Sequence, residues 1–310
     1  SGTYVPAGYT VDFKDALATS GVTGRTDNIA VLNRDLSGVT SFVHGTITSD
    51  PNVAVYLVNS GGIIFGGSAV VNTGSFWAST LGVTDADFLD GDHRLSFSTA
   101  VGQDISLNSG ARITTATNAG TTGDRMGDIV FVSNTIRMLG ANATSLTAQG
   151  GDIALVAGRD IVVQHAPGSP LSLVVNRGSA HTFTDPQITG KIDATGRNIT
   201  IAAINADASN FFAGISIQGS LVATGAAQTD RGIVLTSTLA APGVALGSPP
   251  SSAPGSLIGA ATEMTLGSVG FPSAAMTLQS ASGVSLSSSG LTFNSASVQA
   301  TGAISISSRR

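Results

Sequence analysis

Cysteine is absent from these 310 residues, so neither a disulfide framework nor a thiolate metal site is available. Charge is scarce as well: Asp, Glu, Lys and Arg make up 11% of the chain, against roughly 25% in an average soluble protein. Glu263 is the one glutamate, and Lys14 and Lys191 are the two lysines. Helices laced with i,i+4 ion pairs cannot be built from that stock, and long helices are not expected. A net charge of −5, with 14 Lys and Arg spread along the chain, leaves no basic stripe and speaks against nucleic acid as a partner. No apolar run approaches the roughly 18 residues of a membrane span, so stable membrane insertion is not expected. Ser1 does not open a basic signal-peptide n-region, and the sequence reads as an exported protein after leader removal. Aromatics, at 5%, are too few to mark propeller blades.

What fills the gap is Gly, Ser, Thr, Ala, Asn and Val, arranged as short alternating apolar and polar segments with turn residues between them. The segments starting at Asp104, Asp128 and Asp152 are 24 residues apart, and those at Met264, Val284 and Ile304 are 20 apart. A second apolar segment follows about eight residues into a unit, as at Ile113, Ile136 and Ile161. Periods of this length predict a solenoid, and without a leucine-rich frame the expected fold is an all-β parallel β-helix. Ile105 and Leu107 would point inward and Ser106 outward, with the same alternation through Leu291, Thr292, Phe293 and Asn294. With about 20 to 24 residues per coil, on the order of a dozen coils and a rod of roughly 50 to 60 Å are expected.

Residues 1–30 do not show the repeat and read as an N-terminal cap, since an open end would expose strand edges. The β-helical domain is expected over 31–240 with a proline-bearing excursion at 164–190, where a hairpin fits around Leu171 to Val175. A Pro-rich loop is expected at 241–255, then further coils over 256–310 that begin a longer passenger. Val53 to Val58 is apolar at every position, so both faces should be covered by protein. Asn59-Ser60-Gly61-Gly62 then reads as a tight turn before Ile63 restarts a strand.

The stretch Val39 to Ile47, then VYLVNSGGIIFGG from Val55 to Gly67, then Ala69 to Leu81 and Val83 to Phe88, resembles the secretion domain of two-partner secretion exoproteins of the filamentous haemagglutinin group. That resemblance implies a right-handed β-helix with extra-helical β elements. It also implies a non-enzymatic, monomeric module that directs a large exoprotein to a cognate outer-membrane transporter with POTRA domains. The protein would be secreted, or held at the cell surface of a Gram-negative bacterium, after signal-peptide removal and passage through the periplasm. The family's usual turn, Asn-Pro-Asn-Gly-Ile, falls on Asn59, Ser60, Gly61, Gly62 and Ile63, which become the candidate partner-binding residues. Both glycines of the turn can take φ > 0, and Gly61 still allows a left-handed conformation where Asn would sit. The turn can be recognised in the unfolded chain, seed the first coils, or do both in sequence.

Other constellations are weaker. Asp85, Asp87, Asp90 and Asp92 suggest calcium but lack the loop spacing and downstream Glu of a calcium motif. His44, His93, His165 and His181 are scattered, read as turn residues, and form no paired metal motif. No cofactor is implied. Phe76 and Trp77 read as packing residues under a cap or an added sheet. Two alternatives stay open: an adhesin that binds host glycans or proteins directly, and a carbohydrate-active β-helix enzyme. The enzyme is poorly served by a single glutamate.

Overall fold

In the computed structural model the chain winds through three parallel sheets, each nine strands long. The structure describes residues 2–15, 28–98, 103–116, 126–139, 143–165, 171–177, 187–188, 190–195, 198–205, 214–217, 220–223, 233–239, 244–246, 263–267, 276–280, 283–288, 290–294 and 296–308. Each coil lays one strand on a first, a second and a third face in turn. The second coil does so with Ser41–Val43, Thr46–Ser49 and Val53–Asn59. Every neighbour within these three sheets is parallel and in register with the coil before it, which makes the fold a right-handed parallel β-helix. Nine described coils at about 4.8 Å each give a stack of roughly 40 Å, shorter than the dozen coils expected from the sequence.

The shortfall has a simple cause. From the strand of one coil to its partner in the next, the third face takes 24 residues from Ile29 to Val53, but 53 from Phe76 to Ile129 (129 − 76). It takes 46 from Ile153 to Ile199 (199 − 153) and 51 from Ile233 to Val284 (284 − 233). Each of these three long coils sends strands out to a separate antiparallel sheet. That sheet runs Arg94–Ser98, Asp160–Gln164, Ser172–Arg177, Val244–Leu246. The outward hairpin therefore begins at Asp160, and coil structure resumes at Gln187–Ile188. Val244–Leu246 lies inside the stretch read as a Pro-rich loop. Pro167, Pro170, Pro186, Pro242, Pro249, Pro250 and Pro254 lie outside the described residues.

The first 30 residues also differ from their reading. Tyr4–Val5 and Thr10–Phe13 pair in parallel with Ser41–Val43 and Thr46–Ser49, so they close the end of the stack by forming its first coil. No clean alternation is required of them, because with one described neighbour Tyr4, Thr10, Val11 and Asp12 are exposed. At the other end Phe293, read as interior, is 44% exposed in the ninth coil, where no described strand stacks on it.

Two apolar cores result. The interior column holds Val53, Val55, Leu57, Ile63, Phe65, Phe76, Ile105, Leu107 and Phe131, among others. Phe65, Phe76 and Phe131 pack ring to ring at 5.8 to 6.4 Å. The alternate residues of the third face form the second core. Ala54, Tyr56, Val58, Trp77, Val130 and Val132 turn outward and are covered by Leu95, Phe97, Ile161, Val163 and Leu173 of the antiparallel sheet. The uninterrupted apolar run Val53 to Val58 is thus buried on both faces, as expected of it, with Phe76 inward and Trp77 outward. Gly151 allows the stack to close here, since a Cβ on it would lie 2.0 Å from the Gly127 backbone of the coil before.

Candidate functional site

Leaving the third face at Asn59, the chain must reach the first face at Ile63 within three residues. The Asn59 side chain makes that corner. Its Oδ1 accepts from the Gly61 N–H at 2.7 Å, and the Gly62 N–H donates to the Asn59 carbonyl at 3.1 Å, a turn built by an Asn over its own backbone. Of the two glycines of the turn, Gly62 takes the left-handed conformation, at φ +103°. Gly61 is needed for a different reason: a Cβ there would sit 2.6 Å from the Gly38 carbonyl of the preceding coil. A side chain in the place of the family's second asparagine has no room in this arrangement.

The other end of the Asn59 amide ties the corner to the coil before it. Nδ2 donates to the Val39 carbonyl at 2.7 Å and to Ser41 Oγ at 2.6 Å. Thr40 Oγ1 donates to the Gly61 carbonyl at 2.8 Å, and the Ser41 N–H to the Gly62 carbonyl at 2.9 Å. Ser41 Oγ donates in turn to Asp35 at 3.2 Å. The Asp35 carboxylate also collects the Ser37 N–H at 2.9 Å, the Thr3 hydroxyl at 3.0 Å and the Thr3 N–H. A continuous polar column therefore joins the corners of the first, second and third coils. Asp35 and Asn59 are partners in register, each ending a third-face strand, and their 24-residue spacing is the signal in the sequence that marks this corner.

Burial works to raise the Asp35 carboxyl, but the hydrogen bonds from Ser37 and Thr3 outweigh it and hold the group below the usual carboxylate range. A carboxyl depressed on folding contributes stability above its unfolded pKa, and that contribution is lost as the pH falls through about 4 and below. Asp35→Asn should accordingly lower the neutral and alkaline plateau of a stability-against-pH curve and flatten its acid limb, so that the variant and the parent converge at low pH. An unchanged acid limb in urea titrations would show the column to be electrostatically inert.

Of the five corner residues, Asn59 and Ile63 have no exposed surface, Gly62 is buried, Gly61 is half-buried and Ser60 alone presents a side chain to solvent. Beside them Leu36 and Val39, 82% and 52% exposed, lie on the loop that Gly61 leans against.

The remaining candidates resolve into packing and turns. Asp85 and Asp87 belong to the single described α-helix, Asp85–Leu89, capped by Thr84. Asp85 pairs with Arg34 at 2.8 Å, and Asp87 accepts from the Ser96 N–H at 2.7 Å. Asp90 and Asp92 accept from the N–H groups of Asp92 and Arg94. Among the described residues no three His, Cys, Asp or Glu side chains converge as metal ligands would. His44 stacks on Phe42 at the end of the strand Ser41–Val43. His93 and His165, scattered in the sequence, are brought together next to the paired Arg94 and Gln164 of the antiparallel sheet, 5.7 Å apart, with His165 against Trp77. His181 lies outside the described residues. Burial first, then the charge of Asp128, push the Tyr56 hydroxyl above its usual range. Tyr56 therefore stays neutral and acts as a packing ring against Trp77 and Phe88. No described helix is long and apolar enough to cross a membrane.

A family model described as TPS secretion domain matches residues 4–236. Among solved structures, the chain is similar to the HMW1 secretion domain from Haemophilus influenzae, with 16% identity and a TM-score of 0.52. That match covers 99% of this chain and 91% of the other, and at this identity it bears on the fold. Comparison with curated proteins gives no match.

Proposed function

Because the chain belongs to the TPS secretion domain family, we propose that it is the N-terminal secretion module of a large exoprotein, addressed to a cognate outer-membrane transporter with POTRA domains. Its part in two-partner secretion follows from the family, which is a secretion module and not a known enzyme family. The finer reading concerns how the corner Asn59 to Ile63 is used. One observation supports it: folding hides Asn59, Gly62 and Ile63 and commits the Asn59 side chain to Gly61, Val39 and Ser41. A partner can read those side chains only in the extended chain, before the coils close. Transporter recognition then precedes folding, and the same residues afterwards fix the corner that joins the second coil to the third. The folded module is a monomer at the cell surface or in the medium.

Deleting residues 53–65 from the full exoprotein should abolish its release while leaving entry to the periplasm intact. Immunoblots of periplasm and medium check this, and normal release of the deletion variant would remove the reading.

A further inference from the structure

Three buried polar residues stand in a column where the second face meets the third: Asp128, Asp152 and Asn198, at 4%, 2% and 4% exposure. Each comes just before a strand of the third face, at Ile129, Ile153 and Ile199, which stack in register. Asp128 Oδ1 accepts from the Asp152 N–H at 2.7 Å. Asp152 Oδ1 accepts from Asn198 twice, from the backbone N–H at 3.1 Å and from Nδ2 at 3.0 Å. Asp152 Oδ2 accepts from the Leu171 N–H at 2.7 Å. Leu171 precedes Ser172–Arg177, the second strand of the outward hairpin.

The chain faces a sorting problem at this point. Asp160–Gln164 follows the coil strand Ile153–Ala157 after two residues, and its apolar pattern is that of a coil strand. It nevertheless leaves the stack, and the hairpin partner Ser172–Arg177 leaves with it. The third face is resumed only 46 residues after Asp152. A carboxylate buried in this way is tolerated only with its oxygens hydrogen-bonded, and bonds to an ionised acceptor are the strong kind.

We propose that Asp152 is a positioning residue that sorts these segments: one oxygen pins the hairpin to the outside of the stack, and the other selects Asn198 as the start of the next third-face strand. The side-chain amide of Asn198 gives that selection a second point of contact. Both Asp152 oxygens face N–H donors, so an amide of the same size sets a donor against a donor.

The test is hydrogen exchange read by mass spectrometry on the full chain, with Asp152→Asn, Asn198→Ala and, as a control, Asp104→Asn. Asp104 shares the sequence pattern, but it is half-exposed and pairs with Arg137. In Asp152→Asn, exchange should rise about tenfold or more in 160–164, 172–177 and 199–205 together, while 53–59 and 75–79 keep their protection. In Asn198→Ala only 199–205 should open, and Asp104→Asn should resemble the parent. An unchanged Asp152→Asn, a uniform rise in all strands, or a hairpin that opens as far in Asn198→Ala would overturn the proposal. Should Asp152→Asn not fold, Leu171→Pro removes the pinning N–H together with the buried Leu171 side chain, and Leu171→Ala, which keeps the N–H, is the control that should hold the hairpin better. Loss of protection at 172–177 with 199–205 intact is then the expected result, and a still-protected hairpin refutes the sorting role.

Discussion

Asn59→Ala should lower the unfolding free energy by about 2 to 4 kcal/mol, a large effect for the loss of one polar side chain. The estimate follows from what the side chain does. It gives two N–H donors to the corner before it, at Val39 and Ser41, and one acceptor to its own turn, all at 2.6 to 2.7 Å and from a side chain with no exposed surface. Each such bond contributes about 0.5 to 1.5 kcal/mol net, and losing the amide also deprives the buried Ser41 hydroxyl of a partner, which adds a desolvation penalty. Asn59→Asp should be no better. It keeps the acceptor for Gly61 but turns a carboxylate oxygen toward the Val39 carbonyl, an acceptor against an acceptor. Urea denaturation followed by circular dichroism measures both, and a loss under 1 kcal/mol for Asn59→Ala would show the corner to be held by backbone geometry alone.

Trp77→Ala should cost about 3 to 5 kcal/mol, the range for truncating a large buried aromatic. Trp77 stands between the helical stack and the added sheet, ring to ring with Tyr56 at 5.0 Å, His165 at 5.5 Å and Phe97 at 6.3 Å. Its loss should fall on the sheet first. Amides of Arg94–Ser98 and Asp160–Gln164 should exchange faster, while the interior strand Ile63–Phe65 holds, because Phe65 packs on the other side of the third face. Equal loosening of both would mean that the two cores melt as one unit and that the antiparallel sheet is not a separable cover.

The sequence exposed the kind of fold more readily than its phase. Alternation put Ile105 and Leu107 inside and Ser106 toward the surface, and the unbroken run Val53 to Val58 required a cover on both faces; all of this is as found. The 24-residue spacing misled in part. Asp128 and Asp152 are one coil apart on the third face, but Asp104 opens a first-face strand, so the first interval joins different sides of the coil. Likewise Val284 to Ile304 is one coil, whereas Met264 lies on the first face. A period-two pattern looks the same on all three sides, and only pairing tells them apart. For the same reason Ile161, read as a coil segment, could not be distinguished from one until its antiparallel partners Phe97 and Val175 were known. At the corner, the turn residues Asn59 and Gly62 were legible from local chemistry. Their ties to Val39, Ser41 and Asp35 were not, because those contacts exist only once one coil lies on another.

The proposal that the corner is read before it folds can be examined most directly at Ser60, the one corner side chain left open to solvent in the folded coil. A photo-crosslinking residue placed there should join the exoprotein to its transporter while export is under way, and should give no adduct when the module is folded before it meets the transporter. Equal crosslinking by the prefolded module, or none during export, would contradict it.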